Sequence, residues 1–112
     1  MKIRYIGFLL AVILVYSAGS LAVEKRGAEK MLLSGGKRGS VPFPHARHQT
    51  VLVDCKICHT VFPQQPGIIQ KLKEEGKLKK KQVMKRCTSC HRKRSKAGQK
   101  AGPLRCKTCH RR

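Results

Sequence analysis

The segment Cys55-Lys56-Ile57-Cys58-His59 contains the five-residue pattern that decides how this chain folds. The same pattern, Cys-x-x-Cys-His, returns at Cys87–His91 and at Cys106–His110, and no cysteine lies outside these three motifs. Two cysteines at this spacing can both bond to one edge of a porphyrin, while the next histidine ligates its iron. The pattern is the attachment signal of c-type haem, so three copies predict three covalently attached c-type haems. The predicted attachment residues are Cys55, Cys58, Cys87, Cys90, Cys106 and Cys109, and the predicted proximal ligands are His59, His91 and His110.

Two other uses of paired cysteines fit the pattern less well. Two Cys-x-x-Cys pairs often form a structural zinc site, but zinc gives no reason for a histidine after every second cysteine. Six cysteines in an exported protein can form three disulfides, but disulfides also leave the histidines unexplained. The repeated histidine therefore favours haem over both alternatives.

The first 22 residues predict a secretory signal peptide. Lys2 and Arg4 precede an apolar run from Tyr5 to Tyr16, and Ser20-Leu21-Ala22 has the small-x-small form of a cleavage site. An uncleaved membrane anchor is the alternative, but the run is short for a bilayer span. We expect cleavage after Ala22, no membrane insertion of the mature chain, and one triheme domain over residues 23–112.

The mature chain has little material for a hydrophobic core. After Val23, its aromatic residues are Phe43 and Phe62 alone. A chain this short and polar buries too little apolar surface to offset its conformational entropy, so the porphyrins must supply much of the core. We therefore predict a small, mostly irregular and α-helical fold organised around three covalent haems. Without haem, the chain should be largely unfolded.

Two histidines remain after the three proximal ligands have been assigned. His45 and His48 are three positions apart, which places them near one face of a helical turn. As distal ligands, they would give two of the haems bis-histidine coordination. A pair of surface histidines is the alternative, but three irons in one small domain need sixth ligands. We therefore predict that His45 and His48 bind iron.

The remaining segments predict only simple local structure. Glycines at positions 35, 36 and 39 suit a short β-hairpin or loop between Lys30 and Val41. Apolar residues recur with helical spacing from Gln65 to Lys85, and Gly76 should interrupt that helix. The stretch from Arg92 to Pro103 is rich in lysine and glycine, which predicts a linker between the last two motifs.

The segment Val41-Pro-Phe-Pro-His-Ala-Arg-His-Gln, followed by Asp54-Cys-Lys-Ile-Cys-His, resembles the triheme cytochrome c7 family. This family is the three-haem branch of the cytochrome c3-like multihaem cytochromes, and the resemblance extends from Met31 to the C-terminus. It implies a multihaem cytochrome c3/c7-like fold. It also implies that His45 ligates the haem of the first motif, that His48 ligates the haem of the second, and that Phe43 packs between them.

The third haem departs from the family pattern. In the family, its distal histidine lies four residues before the second motif, where this chain has Val83. The nearest coordinating side chain is Met84, and histidine–methionine coordination would raise the potential of this haem above those of its neighbours. Two alternatives remain, namely a five-coordinate haem and ligation by a lysine such as Lys80 or Lys81.

The charge of the chain predicts the kind of partner. Lys and Arg number 26 against 5 Asp and Glu, which gives a formal net charge of +21. Such an excess steers association with acidic redox proteins. Nucleic acid is also a polyanion, but export and the lack of aromatic stacking residues argue against it. We expect a monomer.

Closed axial positions favour an electron carrier over an enzyme, because no substrate can reach the iron. We therefore predict outer-sphere electron transfer between redox proteins. The family resemblance implies a periplasmic shuttle in anaerobic, metal-reducing respiration, with inner-membrane quinol-oxidising proteins and outer-membrane cytochromes as partners. The alternative is a small multihaem reductase in which the third haem is open.

Overall fold

The computed structural model describes residues 26–112, so the predicted signal peptide and its cleavage site lie outside the described residues. Within residues 26–112, two short strands precede five helices, and none of these helices has the length and apolar composition needed to cross a bilayer. The elements are β1 (Met31–Leu33), β2 (Val41–Phe43), α1 (His45–Leu52), α2 (Lys56–His59), α3 (Ile68–Glu74), α4 (Lys80–Lys96) and α5 (Cys106–Cys109).

The predicted β-hairpin is present at the start of the described chain. β1 and β2 pair antiparallel, with Met31 opposite Phe43 and Leu33 opposite Val41, and a 3₁₀ turn at Gly36–Arg38 connects them. These four apolar side chains are half-buried, whereas the side chains of the central pair, Leu32 and Pro42, point to the exposed face. This alternation follows from the two-residue period of a strand.

Helix α1 follows the hairpin directly and presents both of the remaining histidines. Pro44 precedes its first residue, His45, and proline suits this place because the first N–H groups of a helix have no intrahelical partner. The segment before β1 runs alongside α1, where the Ala46 amide donates to the Glu29 carbonyl at 3.0 Å. The hairpin and this segment therefore fix the position of α1.

The helix predicted from Gln65 to Lys85 is interrupted near Gly76, as expected. Helix α3 ends at Glu74 with Glu75 as its C-cap, Gly76 follows with φ +70°, and helix α4 begins at Lys80. Helix α4 then continues to Lys96, so the first five residues of the predicted linker are helical. The physical reason is that neither glycine nor proline occurs between Lys77 and Ala97.

The C-terminal segment returns to the hairpin. A β-bridge joins Ser40 to Arg111, with N–O distances of 2.9 Å and 2.7 Å in its two backbone hydrogen bonds. Helix α5 holds the cysteines of the third motif, so this bridge places that motif beside the turn between β1 and β2. Residues far apart in sequence are joined here by backbone pairing rather than by apolar packing.

Few side chains are buried in the described part of the chain. Among residues 26–112, Phe62 and Leu78 are the buried apolar side chains, with 8% and 7% of their surface exposed. Two buried side chains cannot offset the entropy cost of ordering a chain of this length. The polypeptide therefore forms a shell whose interior must be filled by something other than its own side chains.

Candidate haem sites

All five histidines of the chain hold their rings in the same way. In each, Nδ1 lies within hydrogen-bond distance of a backbone carbonyl, and a carbonyl can only accept, so Nδ1 carries the proton. Nε2 of every ring is then free to bind metal, the arrangement usual for metal-ligating histidines. The Nδ1 partners are the carbonyls of Ala28 for His45 (2.9 Å), Pro44 for His48 (2.9 Å), Phe62 for His59 (2.7 Å), Pro103 for His91 (2.9 Å) and Gly39 for His110 (3.4 Å).

The first motif faces a histidine of α1. The ring centroids of His45 and His59 lie 6.1 Å apart with their planes nearly perpendicular, at 88°. With metal–nitrogen bonds of about 2 Å, two imidazoles on opposite sides of one iron have centroids about 6 Å apart. The spacing of these two rings therefore fits a single metal ion between them.

The second motif faces the other histidine of α1. The ring centroids of His48 and His91 lie 6.2 Å apart, with an interplanar angle of 34°. The Phe43 ring lies 4.4 Å from that of His48 and 6.0 Å from that of His45. One short helix thus supplies a ring to each of the first two motifs, and Phe43 lies against both of these rings.

The cysteines of the three motifs converge. Burial raises the pKa of the Cys87 thiol, and the nearby thiols of Cys58, Cys109 and Cys90 raise it further. A thiol responds to such neighbours only when they are close. Cysteines from all three motifs thus lie near Cys87, so the three attachment points belong to one compact region of the molecule.

The third motif has no second imidazole opposite its histidine in the described part of the chain. His110 is half-buried and packs against Gly35, where a Cβ atom would collide with its ring. Val83 is half-buried on α4, and Met84 beside it is 50% exposed. This site therefore differs from the other two in structure as well as in sequence.

Several lysines lie at the start of α4, including the two considered as ligands for the third iron. Lys80 and Lys81 are exposed and, with Lys73 and Lys79, line a cavity of about 420 Å³ between α3 and α4. Lys73 Nζ donates to the Ser34 carbonyl at 3.1 Å, next to the glycine that contacts His110. This hydrogen bond attaches the end of α3 to the hairpin turn beside the third motif.

The donor set fits c-type haem. Among residues 26–112, no three His, Cys, Asp or Glu side chains come together as a metal-binding cluster, and the six cysteines are all unpaired. Each histidine presents one free Nε2, and two pairs of rings face each other at the distance that an axially ligated iron requires. Cys-x-x-Cys pairs beside such rings fit c-type haem.

Sequence reasoning did not identify two glycines that these sites require. Gly102 lies against His91, where a Cβ would stand 2.7 Å from Nε2 and 2.9 Å from Nδ1. Gly35 lies in the same way against His110. Both belong to stretches in which glycine also suits a turn, so the sequence alone gives no signal that separates these packing roles from ordinary flexibility.

Comparisons with known proteins agree with this arrangement. The family model described as "Cytochrome c7 and related cytochrome c" matches residues 41–111. A cytochrome c7 of Geobacter metallireducens is 38% identical over 74 residues, which cover 66% of this chain and 67% of that protein.

Solved structures of similar proteins extend the comparison to the fold. The cytochrome c7 PpcE of Geobacter sulfurreducens is 34% identical, with a TM-score of 0.52 over 74% of this chain and 97% of its own. The triheme cytochrome PpcA of the same organism is 33% identical, with a TM-score of 0.53 over 76% of this chain and all of its own.

These matches confirm the predicted fold class, a small α-helical and irregular multihaem fold with an N-terminal hairpin. They also confirm the cofactor prediction, three covalently attached c-type haems at the three Cys-x-x-Cys-His motifs. The chain therefore belongs to the cytochrome c7 family of multihaem electron carriers.

Proposed function

We propose that this protein is a periplasmic electron carrier that exchanges electrons with other redox proteins by outer-sphere transfer. One observation supports this most strongly: the ring centroids of two pairs of imidazoles, His45 with His59 and His48 with His91, lie 6.1 and 6.2 Å apart. With haem bound, the two rings of each pair would ligate its iron from both sides and would leave no position for a substrate. Haem supplies a reversible one-electron couple when bound, and the chain supplies the ligands that prevent a substrate from binding to its iron.

We assign the ligands by motif. His45 and His59 bind the first haem, and His48 and His91 bind the second. The facing geometry of each pair supports the assignment, as does the Nδ1 hydrogen bond that leaves every Nε2 free. Phe43 lies against His45 and His48, and this contact supports a packing role for its ring beside the first two haems.

We assign Met84 to the third haem, opposite His110. Met84 lies on α4, one position after the residue that aligns with the family's distal histidine, and its side chain is half-exposed. The thioether is therefore not fully packed by protein in the described part of the chain. A methionine ligand favours ferrous iron relative to imidazole, so the third haem has the highest potential of the three.

The carrier function can be tested by adding carbon monoxide to the dithionite-reduced protein and recording the Soret spectrum. Haems with two protein ligands do not bind carbon monoxide readily, so most of the Soret band should stay unchanged. Binding of carbon monoxide to all three haems would contradict the assignment of closed axial positions.

Acidic redox proteins are the proposed partners. The surface is strongly basic, and the cavity lined by Lys73, Lys79, Lys80 and Lys81 concentrates positive charge beside the third motif. Attraction between opposite charges accelerates association and weakens as salt screens it. Stopped-flow reduction by an acidic redox protein should slow at least tenfold between about 20 and 300 mM salt. A rate that does not change with salt would contradict the proposal.

One observation favours a second candidate function, a small reductase in which the third haem is open. His110 has no imidazole opposite it in the described part of the chain, so its iron can accept an exogenous ligand if Met84 does not bind. A high-spin ferric band in the purified protein, together with steady turnover of nitrite or peroxide, would support the reductase. A fully low-spin spectrum would exclude it.

A periplasmic location and a role in anaerobic, metal-reducing respiration complete the proposal. The N-terminal sequence and the relatives from Geobacter support both. The mature protein should be recovered from the periplasmic fraction with Val23 as its first residue. Recovery in the cytoplasmic fraction with the first 22 residues intact would contradict this location.

A further inference from the structure

Arg86 connects the second motif to the first. It lies on α4 immediately before Cys87, and its guanidinium donates a hydrogen bond to the carbonyl of Ile57, inside the first motif. Arg86 is therefore fixed to one haem-binding motif by the chain and to another by a hydrogen bond. Hydrogen bonds from a charged donor are stronger than those between neutral groups.

The positive charge of Arg86 acts at the edge where the first haem is attached. Its hydrogen bond ends on the carbonyl of Ile57, the residue immediately before Cys58, so the guanidinium lies beside an attachment cysteine of the first motif. Arginine carries a delocalised positive charge, which is therefore placed next to the site of the first haem.

The same region is where the first motif meets α4. A cavity of about 370 Å³ opens between Ile57 and Cys90, and Lys93 and Arg94 of α4 also line it. The hydrogen bond from Arg86 crosses between the same two elements, α2 and α4. Arg86 therefore joins the first two motifs and places a cation beside the first.

We propose that Arg86 is a positioning residue that fixes the first motif against α4 and raises the reduction potential of the first haem. Oxidation of haem iron adds one positive charge, so a nearby guanidinium disfavours the ferric form and stabilises the ferrous form. The proposal rests on the electron-carrier function only in requiring that the first motif holds haem.

The test follows the first haem alone through a redox titration of the holoprotein, using its NMR-resolved haem methyl signals. In Arg86→Gln, the ferrous-to-ferric ratio of the first haem at a fixed electrode potential should fall about threefold, or about 30 mV for a one-electron couple. Lys85→Gln is the matched control, because it removes an exposed charge from the neighbouring position on α4. It should shift this ratio by less than about 1.5-fold. Equal shifts in the two variants would overturn the proposal.

Arg86→Lys separates charge from hydrogen-bond geometry and replaces Arg86→Gln if that variant does not mature. The first-haem ratio should stay within about 1.5-fold of the parent because the charge is retained, while the thermal midpoint should fall because the guanidinium is lost. A threefold fall of the ratio in Arg86→Lys would overturn the charge effect. A pyridine haemochrome assay on each variant counts its covalent haems and so tests the electron-carrier function separately. Three haems per chain with an unchanged ferrous-to-ferric ratio of the first haem would contradict the Arg86 proposal and leave the carrier function intact.

Discussion

The ring centroids of His48 and His91 lie 6.2 Å apart, although His48 lies on α1 and His91 lies on α4. The Nδ1 atom of each ring donates a hydrogen bond to a backbone carbonyl, that of Pro44 for His48 and that of Pro103 for His91. In the folded protein both rings are thus held by Nδ1, which leaves Nε2 of each available to bind metal. The same logic applies to His45 and His59 at the first motif.

Replacing His48 with alanine should open the second haem. The spectrum should then show one of the three haems as high-spin ferric iron, because its sixth ligand is gone. Electron paramagnetic resonance of the oxidised protein measures this directly. Arg47→Gln, at the exposed position between the two histidines of α1, is the control and should stay low-spin. An entirely low-spin His48→Ala protein would exclude His48 as a ligand.

Removing the methionine ligand should change only the third haem. In Met84→Ala, the highest of the three midpoint potentials should fall or its haem should become high-spin, because the thioether no longer favours ferrous iron. A spectroelectrochemical titration checks this. Three unchanged potentials would rule out methionine ligation and leave a lysine or an open site as the remaining choices.

Restoring the family's histidine is the complementary change. Val83 is half-buried on α4, and the family resemblance implies a distal histidine at its position. In Val83→His combined with Met84→Ala, the third haem should become bis-histidine and its potential should fall by the order of 100 mV. The titration that follows Met84→Ala measures this shift as well. If the potential of the third haem does not fall, the α4 position does not face its iron.

Substituting Gly102 should disturb the second haem through its histidine. A Cβ at this position would stand 2.7 Å from Nε2 of His91, so the ring must move. We expect Gly102→Ala to cost about 1–3 kcal/mol of stability and to shift the NMR signals of the second haem.

Gly67→Ala is the matched control for this change. Gly67 has φ +69° and open space around it, so alanine there should cost about 1 kcal/mol from backbone strain alone and leave the haem signals in place. A Gly102→Ala spectrum identical to that of the parent would show that the glycine does not position His91.

Haem removal should unfold the chain. Phe62 and Leu78 are the only buried apolar side chains among residues 26–112, so without haem almost no core remains. A variant with alanine at all six cysteines, produced without haem, should lose the far-ultraviolet signal of α4 and all fixed near-ultraviolet structure. A native-like near-ultraviolet spectrum from this variant would contradict the view that haem forms the core.

The parts of the fold that could be predicted are those with a local signal. Glycines 35, 36 and 39 between apolar stretches predicted the hairpin, and Gly76 predicted the break between α3 and α4. The extension of α4 through the second motif to Lys96 was missed. Its sequence is highly charged and lacks an apolar stripe, so the absence of helix breakers was the only helical signal.

Some residues of the candidate site could also be predicted from the sequence, whereas others could not. Residue type and spacing alone indicate the chemistry of the motif residues and of His45 and His48, so these residues could be predicted. The contacts of Gly102 with His91, and of Arg86 with Ile57, join segments that are distant in sequence. Such contacts depend on tertiary packing, so no local pattern predicts them.

The most direct test of the central claim is a pyridine haemochrome assay combined with an intact mass of the mature protein. Three covalent haems on a chain that begins at Val23 are predicted, with each of the three Cys-x-x-Cys-His motifs holding one. A mass that corresponds to fewer than three haems, with a haemochrome value to match, would contradict the account of this chain as a triheme electron carrier.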